Sequence, residues 1–158
     1  AANGHDNVKS LVYVAAFAPE AGEAVAELAA KFPGGTLGEA LAEPVKLASG
    51  GVDLYIDQSK FRTQFAHDVP EAQAALMAAG QRPITEAALT DKSGDPAWKR
   101  LPSWFVYGSG DKNIPAAALQ FMADRAGSRR TVVVDGASHV VMVSKPEVVA
   151  DLIDQAAR

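Results

Sequence analysis

The sequence has no cysteine among its 158 residues. This absence excludes disulfides, thiolate metal sites and a cysteine nucleophile, and it is compatible with a cytoplasmic protein, which is what we expect. Lysine and arginine form no basic stripe and the net charge is −4, so we expect no nucleic-acid partner. No apolar run approaches the roughly 20 residues of a membrane-spanning helix, and no signal peptide is recognisable. We therefore expect no membrane partner.

Metal-binding and phosphate-binding motifs are also absent from the sequence. There is no HxH, HExxH or paired Asp/Glu cluster, and the glycine-rich stretch at 34–39 lacks the Lys-Ser/Thr pair of a phosphate loop. We therefore predict neither a metal nor another cofactor. The hydrophobic content, in contrast, is 48%, which is enough for one domain with a packed core.

The first seven residues, AANGHDN, are typical of the end of a helix, with Asn3-Gly4 as its stop signal. We expect a chain that opens in this way to be part of a longer protein. Natural processing and truncation both remain open as the cause.

Strand and helix patterns alternate in the last third of the chain. We predict strands at 102–107 and 131–134, and helices at 115–126 and 146–157. The apolar run Lys9–Phe17 is typical of a strand buried on both faces, so we place it in the same sheet. The sequence thus predicts an α/β protein with about three parallel strands and flanking helices.

The 19–98 segment, which separates the first of these strands from the others, has a different pattern. It is mostly helical, with a hairpin predicted at Val45–Ile56 and an extra helical turn at Ile84–Leu89. Asp68 is in a position to cap a helix. Segments of this length at the carboxyl edge of a parallel sheet tend to cover the site, so we predict a lid.

An acid and a histidine follow two successive strands. Asp111 lies four residues after Tyr107, and His139 lies five residues after Val134. Neighbouring parallel strands are about 4.8 Å apart, so turns at their carboxyl ends can bring a carboxylate to an imidazole. Each residue alone is more often a turn or surface residue. The pair, at matching strand ends, indicates two thirds of a nucleophilic triad.

Other serines and histidines are weaker candidates. Ser109 is in a turn, Ser138 is adjacent to the histidine in sequence, and Ser144 is suited to capping the last helix. We expect none of them to be a nucleophile. His5 is predicted to lie on the surface, and His67 at a helix end or on the cap surface.

Three stretches resemble the α/β-hydrolase superfamily, in its small cap-bearing esterase-like branch, which also holds methylesterases and hydroxynitrile lyases. They are KSLVYVAAFAPEAGE, LPSWFVYGSGDKNIP and TVVVDGASHVVMVSKPEVVADLI. The resemblance implies a partial α/β-hydrolase fold. Its core would comprise residues 1–18 and 99–158, and its cap would be the 19–98 segment with a small hairpin.

The resemblance also implies roles for the two site residues. Asp111 would be the triad acid and His139 the base of a carboxylesterase-like enzyme acting on a small ester. The family's nucleophile lies in a G-x-S-x-G elbow before these stretches, and the sequence contains no such motif. We therefore expect the nucleophile and the oxyanion hole to be absent from this chain.

Two alternatives remain open. The chain can be a non-catalytic half-fold that self-associates, or associates with a missing N-terminal segment, because its first strand would leave an apolar edge. A parent with lyase or haloperoxidase-like chemistry is equally compatible with the fold.

Eight apolar or aromatic residues can line a substrate pocket or form the core of the cap, and we favour the core for most of them: Phe17, Phe32, Leu54, Phe61, Phe65, Leu76, Met77 and Trp98.

Overall fold

The computed structural model describes residues 2–158 and has an α/β architecture. Its strands are β1 (Leu11–Val14), β2 (Val45–Lys46), β3 (Val52–Leu54), β4 (Ile84–Thr85), β5 (Ser103–Gly108) and β6 (Arg130–Val134). Its helices are α1 (Val25–Ala30), α2 (Leu37–Ala40), α3 (Gln58–Phe65), α4 (Glu71–Ala79), α5 (Glu86–Thr90), α6 (Ala116–Arg125), α7 (Val141–Ser144) and α8 (Pro146–Ala157), with a 3-10 turn at Ala97–Lys99. Within residues 2–158, no helix combines the length and apolarity needed to cross a membrane.

The central sheet has three parallel strands in the order β1-β5-β6, as the sequence predicted. Tyr13 and Phe105 are register partners on β1 and β5, and their rings stack with centroids 4.5 Å apart. Since β5 has a neighbour on each side, it is the most buried strand. The turns that follow β5 and β6 therefore lie side by side at the carboxyl edge.

Helices cover both faces of this sheet. Phe105 and Tyr107 of β5 pack with α6 in one buried cluster, whereas Val106 packs with α8 in another. Successive residues of a strand point to opposite faces, so this alternation places α6 and α8 on opposite sides.

The first strand is shorter and less buried than the sequence predicted. The apolar run Lys9–Phe17 contributes β1 over Leu11–Val14, and all four of its residues are half-buried. The strand ends because Ala15 adopts a left-handed backbone conformation, with φ of 43°, which is uncommon for a residue other than glycine. The partial exposure follows from the position of β1 at the edge of the described sheet.

The start of the chain also differs from the prediction. Residues 2–10 contain turns and no helix, and Gly4 has a φ of 78° within the first turn. Gly4 is thus a turn glycine here, a use that its conformational freedom permits as readily as a helix end. Ala1, the first residue of the predicted helix end, lies outside the described residues.

The 19–98 segment contains helices α1–α5 and a second, antiparallel sheet. The predicted hairpin is present as β2 and β3. Ile84–Leu89 was predicted as a helical turn, but Ile84–Thr85 pairs with β3 as β4, and the helix starts at Glu86. The Thr85 hydroxyl accepts a hydrogen bond from the Ala88 N–H, which explains where the helix begins.

The two ends of the 19–98 segment meet. The indole Nε1–H of Trp98 donates to the carbonyl of Pro19 at 3.1 Å. The backbone N–H of Gly22 donates to the carbonyl of Ser93 at 2.8 Å. The chain therefore leaves the core and returns to it at almost the same place.

A partly buried ion pair joins the start of the 19–98 segment to helix α6. Both guanidinium nitrogens Nη1 and Nη2 of Arg125 lie 2.9 Å from the carboxylate of Glu23, and Nη2 also donates to the carbonyl of Ala18. The guanidinium stacks over Trp98 and Phe121. Hydrogen bonding from Arg125 lowers the pKa of Glu23 from 4.5 to about 2, against burial, which raises it.

This ion pair predicts a specific loss of stability in acid. Because the folded-state pKa of Glu23 is depressed, the ion pair contributes fully to the free energy of unfolding above about pH 4.5. This contribution is lost as the pH falls towards 2. Urea unfolding at several pH values should show the free energy of unfolding of Glu23→Gln falling less steeply over this range than that of the wild type. Glu27→Gln is the matched control, since the Glu27–Lys92 pair is exposed and should contribute little. Equal pH dependence of wild type and Glu23→Gln would contradict the prediction.

Candidate active site

The two residues singled out by the sequence are in contact. Nδ1 of His139 lies 2.7 Å from Oδ2 of Asp111. The Asp111 side chain is fully buried, whereas that of His139 is 19% exposed. Each residue belongs to a turn at the carboxyl edge of the sheet, one after β5 and one after β6. The predicted meeting of acid and imidazole is therefore present in the geometry.

The carboxylate of Asp111 is held from both sides. Its Oδ1 accepts hydrogen bonds from the backbone N–H groups of Asn113 at 2.8 Å and Ile114 at 3.0 Å, which leaves Oδ2 for the imidazole. An ionised carboxylate can only accept, so the ring proton of neutral His139 must be on Nδ1. Nε2 is then the basic nitrogen, and it makes no hydrogen bond with any residue of the described chain.

A close approach of the two turns brings the pair together. A Cβ atom on Gly108 would lie 2.0 Å from the carbonyl oxygen of Ala137 and 2.8 Å from that of Ser138. The backbone N–H of Gly110 donates to the Ala137 carbonyl at 3.0 Å. The histidine turn thus lies directly on the backbone of the acid turn, and this requires glycine at position 108.

The serines close to the pair are engaged elsewhere. Oγ of Ser109 accepts from the Gly136 N–H at 2.7 Å and donates to Asp135 at 3.1 Å. Oγ of Ser138 accepts from the Val140 N–H at 3.3 Å. Neither hydroxyl is hydrogen-bonded to a histidine.

His139 lies in the wall of a large cavity between the sheet edge and the 19–98 segment. The cavity has a volume of about 1250 Å³. Seven of the eight candidate residues line it: Phe17, Phe32, Leu54, Phe61, Phe65, Leu76 and Met77. Six of the eight also pack in or against the buried clusters, as favoured from the sequence: Phe17, Phe32, Phe61, Phe65, Met77 and Trp98. Most of these residues therefore belong both to the core and to the cavity wall. Trp98 instead packs beside Arg125.

One stretch of the 19–98 segment contacts both site turns, and we call residues 64–68 the 64–68 strip. The Gln64 side-chain amide donates to the Lys112 carbonyl and to Asn113 Oδ1, at 2.9 Å each. The Phe65 ring lies against the His139 ring, with centroids 4.8 Å apart. The strip therefore packs against the acid turn at one end and the histidine at the other.

Sequence reasoning missed the contacts of two residues of this strip. His67 directly follows the C-terminal cap residue of α3 and is half-buried, but its Nε2 also donates to the Gly136 carbonyl at 3.0 Å and its Nδ1 is buried. Asp68 was predicted to cap helix α4, but the residue before the first turn of that helix is Pro70. Both oxygens of the Asp68 carboxylate are buried. Burial raises the pKa of this group, but hydrogen bonding from Ser138 and Ser144 outweighs burial and lowers it. The pattern F-A-H-D-V-P carries no signal for these contacts, because their partners are about 70 positions away in sequence.

Metal ligation is not supported at this site. Among residues 2–158, no group of three or more histidines, cysteines, aspartates and glutamates is placed to hold a metal ion.

The model of the alpha/beta hydrolase family matches residues 1–152, so the chain belongs to this family. No curated protein sequence matches it.

Solved structures with the same fold include two esterases and a methylketone synthase. Polyneuridine aldehyde esterase is 14% identical, with a TM-score of 0.75 over 95% of this chain and 63% of its own. A methylesterase from Arabidopsis is 17% identical, with a TM-score of 0.68 over 96% of this chain and 60% of its own. Tomato methylketone synthase I, in complex with beta-ketoheptanoate, is 17% identical, with a TM-score of 0.67 over 92% and 59%. These likenesses establish the fold, and the chain spans about three fifths of each neighbour's length.

The contact at Gly108 predicts that Gly108→Ala disrupts the site. The new methyl group would overlap the Ala137 carbonyl, so the histidine turn must move away from Asp111. We expect a loss of about 1–3 kcal/mol in the free energy of unfolding, as for other overpacked sites, together with a shift of the His139 ring resonances in NMR spectra. Gly94→Ala is the control, because nothing lies within 4 Å of a Cβ atom there. Similar unfolding curves for the two variants would refute this account.

The hydrogen bonds to both carboxylate oxygens of Asp111 predict that the neutral His139 ring changes its tautomer in Asp111→Asn. The amide oxygen can replace Oδ1 as acceptor for the Asn113 and Ile114 N–H groups, and the NH₂ group then faces His139. Nδ1 must become an acceptor, which moves the ring proton to Nε2. The ¹⁵N chemical shifts of the imidazole at high pH measure this directly. An unchanged Nδ1–H tautomer in the variant would show that Asp111 does not select it.

Proposed function

We propose that this chain carries the acid and the base of a serine-hydrolase-type, carboxylesterase-like enzyme that acts on a small ester. One observation supports this above the others: Nδ1 of His139 is bound to the buried Asp111 carboxylate, while its other nitrogen is free beside a mostly apolar cavity. The family membership adds to the case, as do neighbours named as esterases.

In the proposed reaction, a serine hydroxyl attacks the ester carbonyl and Nε2 of His139 takes its proton. The oxygen–acyl bond of the leaving group breaks, and His139 returns the proton to the departing alcohol. Water then attacks the acyl-serine while Nε2 takes a proton from it. The bond between the acyl group and the serine oxygen breaks, the proton passes to that oxygen, and the carboxylic acid leaves. Asp111 remains ionised throughout, orients the ring and stabilises the imidazolium. This sequence of steps requires no cofactor.

We place the nucleophile and the oxyanion hole in residues outside this sequence. The 158 residues include no G-x-S-x-G motif, which the fold uses to expose its nucleophile at a sharp turn. Ser109 and Ser138 have other hydrogen-bond partners. The chain would thus be one part of a catalytic unit that needs a second part.

The 19–98 segment is the proposed cap over the substrate, and residues 1–18 and 99–158 are the proposed core. Apolar side chains of the 19–98 segment form much of the cavity wall, which suits the acyl or alkyl part of an ester. A volume of about 1250 Å³ is larger than that of many ligand pockets. It therefore sets no narrow limit on the length of the acyl group.

A second candidate function rests on the edge of the sheet. Strand β1 pairs with β5 on one side, and no described residue pairs with its other side. Such an edge can pair with another chain. We propose that β1 associates with a second copy or with an N-terminal segment that supplies the nucleophile. In the first case the chain is a binding or assembly module, and in the second it completes an enzyme.

Lyase-like or haloperoxidase-like chemistry is a further outcome that the test must distinguish. Methylketone synthase I shares the fold and was solved with a beta-keto acid, and one fold can host several reactions. Products must therefore be identified as well as rates measured.

The proposal predicts that the chain alone hydrolyses p-nitrophenyl acetate no faster than its His139→Ala variant. The product of the whole gene, with a G-x-S-x-G segment before residue 1, should hydrolyse the ester and form acetate and the alcohol. In that protein His139→Ala should reduce kcat on the order of 10⁴-fold or more, because a triad without its base retains only residual activity. His5→Ala, at an exposed terminal position, is the matched control and should have no effect.

Two results would contradict the esterase assignment. One is activity of the whole gene product that survives His139→Ala. The other is a gene with no G-x-S-x-G segment, which would favour the assembly module. Clear activity of the chain alone that is lost in His139→Ala would instead reveal a nucleophile within these residues.

A further inference from the structure

The turn that carries His139 is supported from the cap side by the 64–68 strip. The ring of Phe65 packs on the His139 ring, and His67 donates to the carbonyl of Gly136 at 3.0 Å. A Cβ atom on Gly110 would lie 3.1 Å from Cε1 of His67. The strip therefore lies against both turns of the site and leaves little free space there.

Within this strip, the burial of the Asp68 carboxylate costs free energy. Both of its carboxylate oxygens are buried, and neither has a hydrogen-bond partner of good geometry among the described residues. An unsatisfied buried acceptor costs about 1–3 kcal/mol, and a charged one costs more. A carboxylate kept in such a place is difficult to explain as a surface or capping residue.

The serines that act on this carboxylate lie on either side of His139. Burial raises the pKa of Asp68, but the Ser138 and Ser144 hydroxyls and the Ser138 backbone N–H lower it, and the net pKa is lowered. Oγ of Ser144 is itself buried without a partner. Three buried polar atoms in the described chain, both Asp68 carboxylate oxygens and Ser144 Oγ, therefore have no partner, and pairing the carboxylate with the two serines would satisfy them.

The two serines bracket the histidine. Ser138 directly precedes His139, and Ser144 ends the short helix α7 that follows it. One carboxylate thus faces both ends of the turn on which the imidazole is carried. Asp111 fixes the ring of His139, but it makes no contact that fixes these backbone ends.

We propose that Asp68 is a positioning residue for His139: its carboxylate accepts hydrogen bonds from Ser138 and Ser144 and holds the histidine turn against Asp111. This inference rests on the proposed function, in which His139 is the base. Asp68 itself touches no reacting atom. Its effect on catalysis is through the orientation of the imidazole, for which a misplacement of about 1 Å can reduce a rate by on the order of 10²-fold.

The first test uses the chain alone and does not require activity. In Asp68→Ala, the ¹⁵N spectrum of the His139 imidazole should lose the pure Nδ1–H tautomer and broaden, because the turn becomes free to move from Asp111. Asp68→Asn keeps an acceptor oxygen and should retain most of the wild-type spectrum. Asp151→Ala, on the exposed face of α8, is the control and should leave the spectrum unchanged.

The second test uses the whole gene product and p-nitrophenyl acetate. Asp68→Ala should lower kcat by about 10²-fold with little change in KM, and Asp68→Asn should recover most of the rate. If the protein has no esterase activity at all, the proposed function fails, while the spectra of the chain alone still decide whether Asp68 positions His139.

An unchanged His139 spectrum and a kcat within twofold of wild type in Asp68→Ala would overturn the inference. So would a folded Asp68→Asn that loses the tautomer as fully as Asp68→Ala, because charge rather than contact with the serines would then be the cause. If Asp68→Ala does not fold, Ser144→Ala replaces it, and an unaltered His139 spectrum in that variant would equally refute the proposal.

Discussion

The site depends on one steric constraint, the contact between Gly108 and the Ala137 carbonyl. Where two neighbouring strands end, their turns can diverge or lie on one another, and a side chain at position 108 would force them apart. Without that side chain, the hydrogen bond from Gly110 to Ala137 can form. The alignment of Asp111 with His139 therefore requires this backbone packing, and the side-chain contacts of the two turns add to it.

This constraint explains why the core of the site could be predicted from the sequence. Asp111 and His139 lie within a few residues of strands that have a clear apolar pattern, and parallel strands bring such turns together whatever the rest of the chain does. The last helix was also predicted correctly, because Pro146 marks its start and its apolar positions follow one face. Local patterns were sufficient for these parts.

The contacts between the 64–68 strip and the site turns could not be predicted in the same way. Gln64 contacts the acid turn across 49 positions of sequence, and Asp68 faces a turn about 70 positions away, so no local pattern records either contact. Asp68 precedes a helix and has the residue type of a cap, which made the wrong interpretation the natural one. The early end of β1 at Ala15 has a similar cause, since an alanine carries no signal for a left-handed conformation.

The joined ends of the 19–98 segment, at Pro19 and Trp98, make that segment exchangeable in principle. An insertion that leaves and re-enters a scaffold at one point places few demands on the scaffold, whatever its internal length. A corresponding segment from another member of the family could therefore be transplanted onto the rest of this chain. The 64–68 strip sets the condition for such a transplant, since a foreign segment without an equivalent would lack the contacts of Gln64, Phe65 and His67 with the two site turns.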